Sequence, residues 1–164
     1  MDTTHLVIYA GDASRISRRV VQSHSSGNVE GSALRQHVAA RLGYRLRKSR
    51  RTKGKRSTQI RIDMPNPKDA ENVINAYIRS GLWRFVACNS PSEAKDFQWY
   101  AINQLSPALN ITRRSWREDM ESRYTELFSS LTAAPLYTYQ EFPRDISVPG
   151  VYVLYHDHLP SAEV

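Results

Sequence analysis

Gln98 is the polar residue whose position raises the first chemical question. At about 100° per residue, a helix through residues 96–110 places Gln98 in one stripe with apolar side chains, namely Ala94, Ala101, Ile102 and Leu105. Burying an amide without partners costs about 1–3 kcal/mol. We therefore expect something in the structure to compensate for a glutamine on the face that should be buried.

A run of positive charge is the second chemical signal. Between Arg41 and Arg61 there are ten Lys and Arg residues and no acidic residue, in a chain with a net charge of +7. Such a run repels itself unless it meets a polyanion, and each neutralised phosphate adds affinity by releasing counterions. We predict a nucleic-acid-contacting loop over residues 45–57, with a solvated, mobile loop as the alternative. The contacting residues would be Arg45, Arg47, Lys48, Arg50, Arg51, Lys53, Lys55 and Arg56.

Periodicity and turn residues indicate a mixed α/β (α+β) fold, a small sheet containing antiparallel strands and flanked by helices. Strands are predicted near residues 6–10, 58–63, 82–88 and 149–157, with a turn at residues 11–14. Helices are predicted near residues 14–23, 32–42, 90–106 and 115–131. A further helix begins at Asn66-Pro67 and buries Val73, Ile74 and Ile78. Ser90 and Glu93 form a capping box for the helix that carries Gln98.

Composition limits the class of protein. The chain has 164 residues, enough for one domain over residues 1–164 with its own core. Its single cysteine, Cys88, excludes an internal disulfide and favours a reducing compartment. The first residues do not resemble a signal peptide, and no segment reaches the roughly 20 apolar residues of a membrane span. We therefore expect a cytoplasmic protein with no membrane partner.

Three segments resemble the GIY-YIG nuclease family, in the order that the family uses from its second strand onward: IYAGDASRISRRVVQSH, SALRQHVAARLG and LWRFVACNSPSEAKDFQWYAINQLSPALN. Tyr9-Ala10-Gly11 is similar to the YIG element, and Arg19 lies ten residues after Tyr9, like the family's helical arginine. Asn110 closes a segment similar to the family's Pro-x-x-Asn ending. The GIY element, expected before these segments, resembles Gly150-Val151-Tyr152 instead.

The resemblance implies a circularly permuted domain whose C-terminal strand pairs with its N-terminal strand. Antiparallel pairing does not depend on which strand comes first, and neighbouring termini tolerate permutation. Residues 115–144 would be a helical insertion that bridges the new connection. Two alternatives remain: residues 149–157 pair with a second subunit as a strand swap, or the residues from Pro149 onward begin a truncated second copy.

The resemblance also implies a divalent metal ion, Mg²⁺ or a similar cation, one per active site. The family's metal-binding glutamate lies twelve residues before the closing asparagine, and Gln98 occupies that position here. A glutamine keeps the shape but offers Mg²⁺ one neutral carbonyl oxygen. The chain should therefore bind metal poorly and cleave slowly or not at all. We favour an inactivated variant of the kind made to trap uncleaved substrate over a naturally degenerate binding-only member, and a core glutamine satisfied by backbone is the third interpretation.

By the same resemblance, Tyr9 and Tyr152 would face the scissile phosphate, where one helps to receive or position the proton of the attacking water. Arg19 would stabilise the phosphorane charge. His24 follows Arg19 by five residues where the family's histidine commonly follows by four, so it reaches the site only if the helix tightens or ends near it. Arg35 would be a second phosphate ligand and Asn110 a further nucleic-acid contact. The alternatives are packing for the tyrosines and a surface position for Arg35.

The function that follows is a metal-dependent endonuclease acting on double-stranded DNA, restriction-like and working as a homodimer with one subunit per strand. One alternative is a non-catalytic nucleic-acid-binding module of the same fold. The other is a basic RNA-binding domain whose tyrosines stack on bases.

Overall fold

The computed structural model describes residues 5–50 and 58–161. The elements of this part of the chain follow one another in this order: β1 Leu6–Ala13, a π-helix Arg18–His24, α1 Ala33–Arg41, β2 Leu46–Arg50, β3 Thr58–Ile62, α2 Lys68–Arg79, β4 Leu82–Ala87, α3 Pro91–Leu105, a 3₁₀ turn Glu118–Met120, α4 Glu121–Ala133, β5 Tyr137–Thr138 and β6 Gly150–His156. The mixed α/β class with antiparallel sheets flanked by helices is as predicted.

The last strand lies inside the main sheet, beside the first. The strand order is β1-β6-β4-β5, and β6 runs antiparallel to both of its neighbours. Every residue of β6 is buried, which explains why its sequence is almost continuously apolar. Gly11 of β1 faces Tyr152 of β6 within the same chain, so the predicted pairing of the C-terminal strand with the N-terminal strand is confirmed as an intrachain pairing.

The sheet has a core on each face. On one face Ile8, Tyr152 and Leu154 pack with the buried residues of α1 and α2. On the other face Ala10, Val151 and Val153 pack with α3 and α4. The alternation of side chains along a strand therefore sends neighbouring residues of β1 and β6 to different layers, and this determines which helices each site residue can meet.

The helix that carries Gln98 is capped at both ends. The backbone N–H of Glu93 donates to Ser90 Oγ over 3.1 Å, and Pro91 occupies the first turn, where its missing N–H is not needed. The helix ends at Ser106, which has a left-handed φ of 47°. The cap residue and the end predicted for this helix are both confirmed, and they fix Gln98 in the second turn.

Three local predictions are wrong. Residues 11–13 continue β1 instead of turning. Residues 46–50 of the predicted basic loop form β2, which pairs with β3 from Leu46–Ile62 to Arg50–Thr58, because main-chain hydrogen bonding to β3 is available whatever the side-chain charge. Val73 of α2 is 46% exposed, and Tyr77 is buried in its place. Between residues 115 and 144 the chain also adds the short strand β5, paired with β4.

The predicted contacts of Arg51, Lys53, Lys55 and Arg56 lie outside the described residues. In the part of the chain that the structure describes, every helix is too short or too polar to cross a bilayer.

Candidate active site

Two tyrosines and a histidine meet on the α1–α2 face of the sheet. Tyr9 is carried by β1 and Tyr152 by β6, and their ring centroids are 6.4 Å apart. The His24 ring lies 5.9 Å from that of Tyr9 and 5.2 Å from that of Tyr152. His24 Nε2 and the Tyr152 hydroxyl share a short hydrogen bond. The three rings thus form one contiguous group, as the predicted site requires.

Gly11 makes this approach of the two phenols possible. A Cβ atom built on Gly11 would lie 2.6 Å from the Tyr152 hydroxyl oxygen and 3.1 Å from a ring carbon of Tyr9. Both distances are shorter than van der Waals contact. The glycine of Tyr9-Ala10-Gly11 therefore has a steric reason, since it leaves the space that the hydroxyl of Tyr152 fills.

A π-helix brings His24 to the site. The residues Arg18–His24 form i→i+5 turns, so residues five apart lie on one side of this helix. Arg19 and His24 are five apart and consequently face the same direction. Of the two conditions predicted for His24 to reach the site, the first is not met, because the helix widens, and the second is met, because the helix ends at His24.

His24 is fully buried and neutral near pH 7. Burial lowers its pKa well below the usual value, and the positive charges of Arg19 and Arg35 lower it further. Its Nδ1 atom lies 2.6 Å from Ser32 Oγ, which fixes the ring from behind. A neutral imidazole held in this way can accept a proton at Nε2, the atom that faces Tyr152.

Both phenols stay protonated at neutral pH. Burial raises the pKa of Tyr152 well above its usual value, and burial also raises that of Tyr9. Arg19 acts in the opposite direction on both, because its positive charge favours a phenolate. Its guanidinium also donates to the carbonyl oxygen of Gly31 over 3.0 Å. Arg19 is thus the cation of this group of rings, as its predicted role requires.

Arg35 does not lie at the site surface. It is fully buried, and its guanidinium donates to the carbonyls of His24, Gly27 and Asn28 and to Asn75 Oδ1. Four of its five N–H donors have these acceptors and the side chain is 0% exposed, so the prediction of a phosphate ligand is corrected to a structural role. Arg35 fastens the chain that follows the π-helix.

Asn110 also holds the main chain. Its side-chain oxygen accepts from the N–H of Ala10 over 2.8 Å, and its side-chain nitrogen donates to the carbonyl of Ala10 over 3.0 Å. The preceding residues Ala108 and Leu109 donate to the carbonyls of Val7 and Ile8. This segment therefore covers the free edge of β1. The predicted nucleic-acid contact of Asn110 is corrected to a structural role, in which its side chain holds the main chain of β1 next to Tyr9.

Gln98 is 9% exposed and lines a cavity of about 160 Å³ together with Tyr9 and Asn110. Sequence reasoning missed its neighbour Asp12. Burial raises the pKa of Asp12, and the Gln98 amide is one of the groups that lower it, by hydrogen bonding to the carboxylate. Asp12 compensates for the buried amide. If the first strand had been predicted to extend by three residues, to residue 13, Asp12 would have been placed on the side of β1 that faces Gln98.

The donor set around Gln98 decides whether a divalent ion fits. Mg²⁺ prefers charged carboxylate oxygens, whereas Gln98 offers it a neutral amide oxygen, which leaves the Asp12 carboxylate as the charged donor beside it. The Asp12 carboxylate is also neutralised in part by Lys95 and Arg19. The residues present therefore do not complete a Mg²⁺ site.

An arginine-lined groove adjoins the ring group and was also missed. Its cavity of about 600 Å³ is bordered by Asp12, Arg15, Arg18 and Arg19. A second cavity, of about 360 Å³, shares Arg15 and Arg18 and adds Arg144. Arg15 and Arg18 are exposed. Their spacing of three residues in RISRR, on the outward side of a helix, is the signal that could have identified this surface.

The basic hairpin of β2 and β3 lies next to the loop that follows the π-helix. Arg45, Arg47, Lys48 and Arg50 are exposed, and their nucleic-acid contacts remain predictions. Glu30 ties the hairpin to the loop, because its carboxylate accepts from the N–H of Ile60 and lies 3.6 Å from the Arg61 guanidinium.

A comparison with family models gives one match. The model described as the GIY-YIG catalytic domain matches residues 1–127 of the chain, which includes β1, the π-helix and α3, while β6 lies beyond the matched residues. Neither the curated proteins nor the solved structures give a match.

Proposed function

The chain belongs to the GIY-YIG family, whose members are endonucleases that generally depend on a divalent metal, and we propose from this premise that it is a DNA endonuclease. In our proposal the residues of the active site that bind the phosphate are in place, whereas the set of residues that would bind the metal is incomplete. The observation that carries the proposal is the convergence of Tyr9, Arg19, His24 and Tyr152 beside an arginine-lined groove.

The roles proposed for these residues follow from their charge and protonation. Neutral His24 takes up the hydroxyl proton of Tyr152 as that phenol receives a proton from the attacking water. Arg19 stabilises the negative charge that develops on the phosphorus centre, a task suited to a permanently charged group with several donors. Arg15, Arg18 and the hairpin residues Arg47 and Lys48 hold the DNA backbone.

Gln98 sets the activity of the chain in this proposal. A glutamate there would stand beside Asp12 and give the pair of carboxylates that Mg²⁺ favours, whereas the amide withholds one of the two charges. The chain should therefore bind DNA with little cleavage, as expected for an inactivated variant. In the Gln98→Glu variant, Asp12 and the new glutamate would hold a divalent cation, which would supply positive charge for the departing oxygen.

We also propose that the chain is a circular permutation of the family fold. The support is that β6 lies outside the matched residues and yet pairs along β1, placing Tyr152 opposite Gly11. Because a single site acts on one strand, cleavage of both strands requires two copies, and a restriction-like homodimer is the form of the proposal that we favour.

The experiment is to restore the carboxylate with Gln98→Glu and to measure nicking of supercoiled plasmid in Mg²⁺ and in chelator. We expect chelator-sensitive cleavage at least roughly a hundredfold faster than that of the chain as it stands, since one well-placed electrostatic group contributes about 10²–10³ in rate. Adding Tyr152→Phe or Arg19→Ala to the restored variant should abolish the gain.

Gln104→Glu is the matched control, because Gln104 lies on the same helix, is exposed and receives the same charge. It should not change the cleavage rate. If Gln98→Glu also leaves DNA uncleaved while DNA affinity still falls steeply with salt, the binding-only module is correct. If single-stranded RNA displaces duplex DNA in competition, the RNA-binding alternative gains instead.

A further inference from the structure

The end of β6 opposite the candidate active site carries the sequence His156-Asp157-His158. His156 lies four positions after Tyr152, a distance of about 13 Å along a strand at about 3.3 Å per residue. His156 Nδ1 and His158 Nδ1 both lie 2.7 Å from the same oxygen of Asp157. Two imidazole nitrogens thus converge on one carboxylate oxygen.

Ser80 gives a partner to the ring nitrogen of His156 that points away from Asp157. Ser80 Oγ donates to the carbonyl of Tyr77 over 2.8 Å and lies 2.8 Å from His156 Nε2, so a hydrogen on Nε2 has an acceptor. In that tautomer His156 presents a lone pair at Nδ1.

In this tautomer two acceptors face each other. The Nδ1 atom of His156 and an oxygen of Asp157 are 2.7 Å apart, and an ionised carboxylate has no hydrogen to donate. A metal cation bound by both atoms removes the repulsion between them.

We propose that His156, Asp157 and His158 bind one Zn²⁺ ion through the two Nδ1 atoms and an Asp157 carboxylate oxygen. Imidazole and carboxylate are ligands that zinc accepts at about 2.0–2.2 Å. The three ligand atoms all lie within 4.8 Å of one another, and zinc needs them roughly 3.4 Å apart in a tetrahedral arrangement. Asp157 and His158 are exposed, so their side chains can rotate by the required amount.

The surroundings of His156 are those of a metal-binding histidine. Its Nε2–H is oriented by Ser80, as ligating histidines are usually oriented through their second nitrogen. The Tyr77 ring stacks on the His156 ring at 4.3 Å and 6° between planes, and the Tyr77 hydroxyl donates to the carbonyl of His158 over 2.7 Å. The ion would hold together three consecutive residues at the end of β6, which the contacts of His156 with Ser80 and of His158 with Tyr77 connect to the C-terminus of α2.

The test is zinc titration of the full chain without an affinity tag, followed by competition with a chromophoric chelator and by thermal unfolding. We expect one Zn²⁺ per chain and a higher unfolding midpoint with zinc than with chelator. Asp157→Asn and His158→Ala should each weaken zinc binding at least tenfold, and Ser80→Ala should weaken it by about 10–100-fold. His37→Ala, which removes a histidine elsewhere, should bind zinc as the unchanged chain does.

Two results would overturn the site. One is a chain whose unfolding midpoint is the same with zinc as with chelator, which would mean that a proton bridges His156 and Asp157. The other is equal zinc affinity in the unchanged chain and in His158→Ala. Because Asp157 and His158 are exposed, these variants should fold, and circular dichroism in chelator checks that they do.

Discussion

Gly11→Ala tests whether the phenols must approach each other as closely as the structure shows. The added methyl carbon would lie 2.6 Å from the Tyr152 hydroxyl oxygen, and ordinary contact begins near 3.4 Å, so that oxygen must move by about 0.8 Å. Tyr152 is only 1% exposed and its hydroxyl is held by His24. The move therefore strains the hydrogen bond between the two residues.

We expect two separate effects of Gly11→Ala. Overpacking should destabilise the fold by about 1–3 kcal/mol, measured by urea unfolding. In the Gln98→Glu background the cleavage rate should fall on the order of a hundredfold, because misplacement by about 1 Å at a reacting group has this effect. The assay is single-turnover plasmid nicking at a temperature where unfolding is negligible for both proteins.

Gly81→Ala is the matched control. Its methyl carbon would lie 2.6 Å from a Leu154 side-chain carbon and 2.6 Å from the carbonyl of Tyr155, so it overpacks the same sheet without touching Tyr9 or Tyr152. It should reduce stability and leave the cleavage rate unchanged. If Gly11→Ala keeps the full rate of the restored enzyme, or if Gly81→Ala loses as much, then the Tyr152–His24 geometry does not control the reaction.

Two further predictions concern stability. Since the pKa of His24 in the folded state is below its usual value of 6.5, the unfolded chain binds a proton that the folded chain excludes, and stability falls as the pH drops below about 6.5. Between pH 6.5 and 5.5 the free energy of unfolding of the unchanged chain should therefore fall by about 1 kcal/mol more than that of His24→Gln, as measured by urea unfolding at each pH. Equal losses in the two proteins would mean that His24 is not buried in its neutral form. Arg35→Met leaves three carbonyl oxygens and one amide oxygen without their donor. It should lower the free energy of unfolding by about 3 kcal/mol, which corresponds to a fall in Tm of about 6–12 °C. The control Arg41→Ala, on the exposed side of the same helix, should change that free energy by less than about 0.5 kcal/mol. An Arg35→Met loss under about 1 kcal/mol would show that its acceptors find other partners.

The sequence predicts β1, β3, β4, β6 and α3 well because their signals are local. Ser90 marks the start of α3, and the apolar run that includes Gly150 and Tyr152 has the composition of a buried strand. The pairing of β6 with β1 is different, because it was inferred from the resemblance of the Tyr-Ala-Gly and Gly-Val-Tyr motifs, which lie at opposite ends of the chain.

The wrong predictions concern residues whose role is set by the three-dimensional structure, mostly by hydrogen-bond partners that are distant in the sequence. Arg35 looks like a surface arginine because the acceptor on Asn75 lies 40 residues away. The π-helix escapes periodicity analysis because a search at 3.6 residues per turn treats a five-residue spacing as a change of face. Asn110 has the motif position of a site residue, yet its two hydrogen bonds to Ala10, 100 residues earlier, make it part of the sheet edge.

The candidate site has two adjoining halves with different chemistry. Tyr9 and Tyr152 pack with the α1–α2 core, where they meet His24 and Arg19. Gln98 lies on α3, meets Asp12 and shares its cavity with Tyr9. The first half is held by strand register, by Gly11 and by the π-helix, and none of these depends on the charge at position 98. Replacing a carboxylate by an amide in the second half therefore removes affinity for a cation and leaves the phosphate-facing arginine and phenols where they are. A chain of this kind should hold its nucleic acid in the cleavage geometry, which is the physical reason that a single change at Gln98 is expected to restore the reaction.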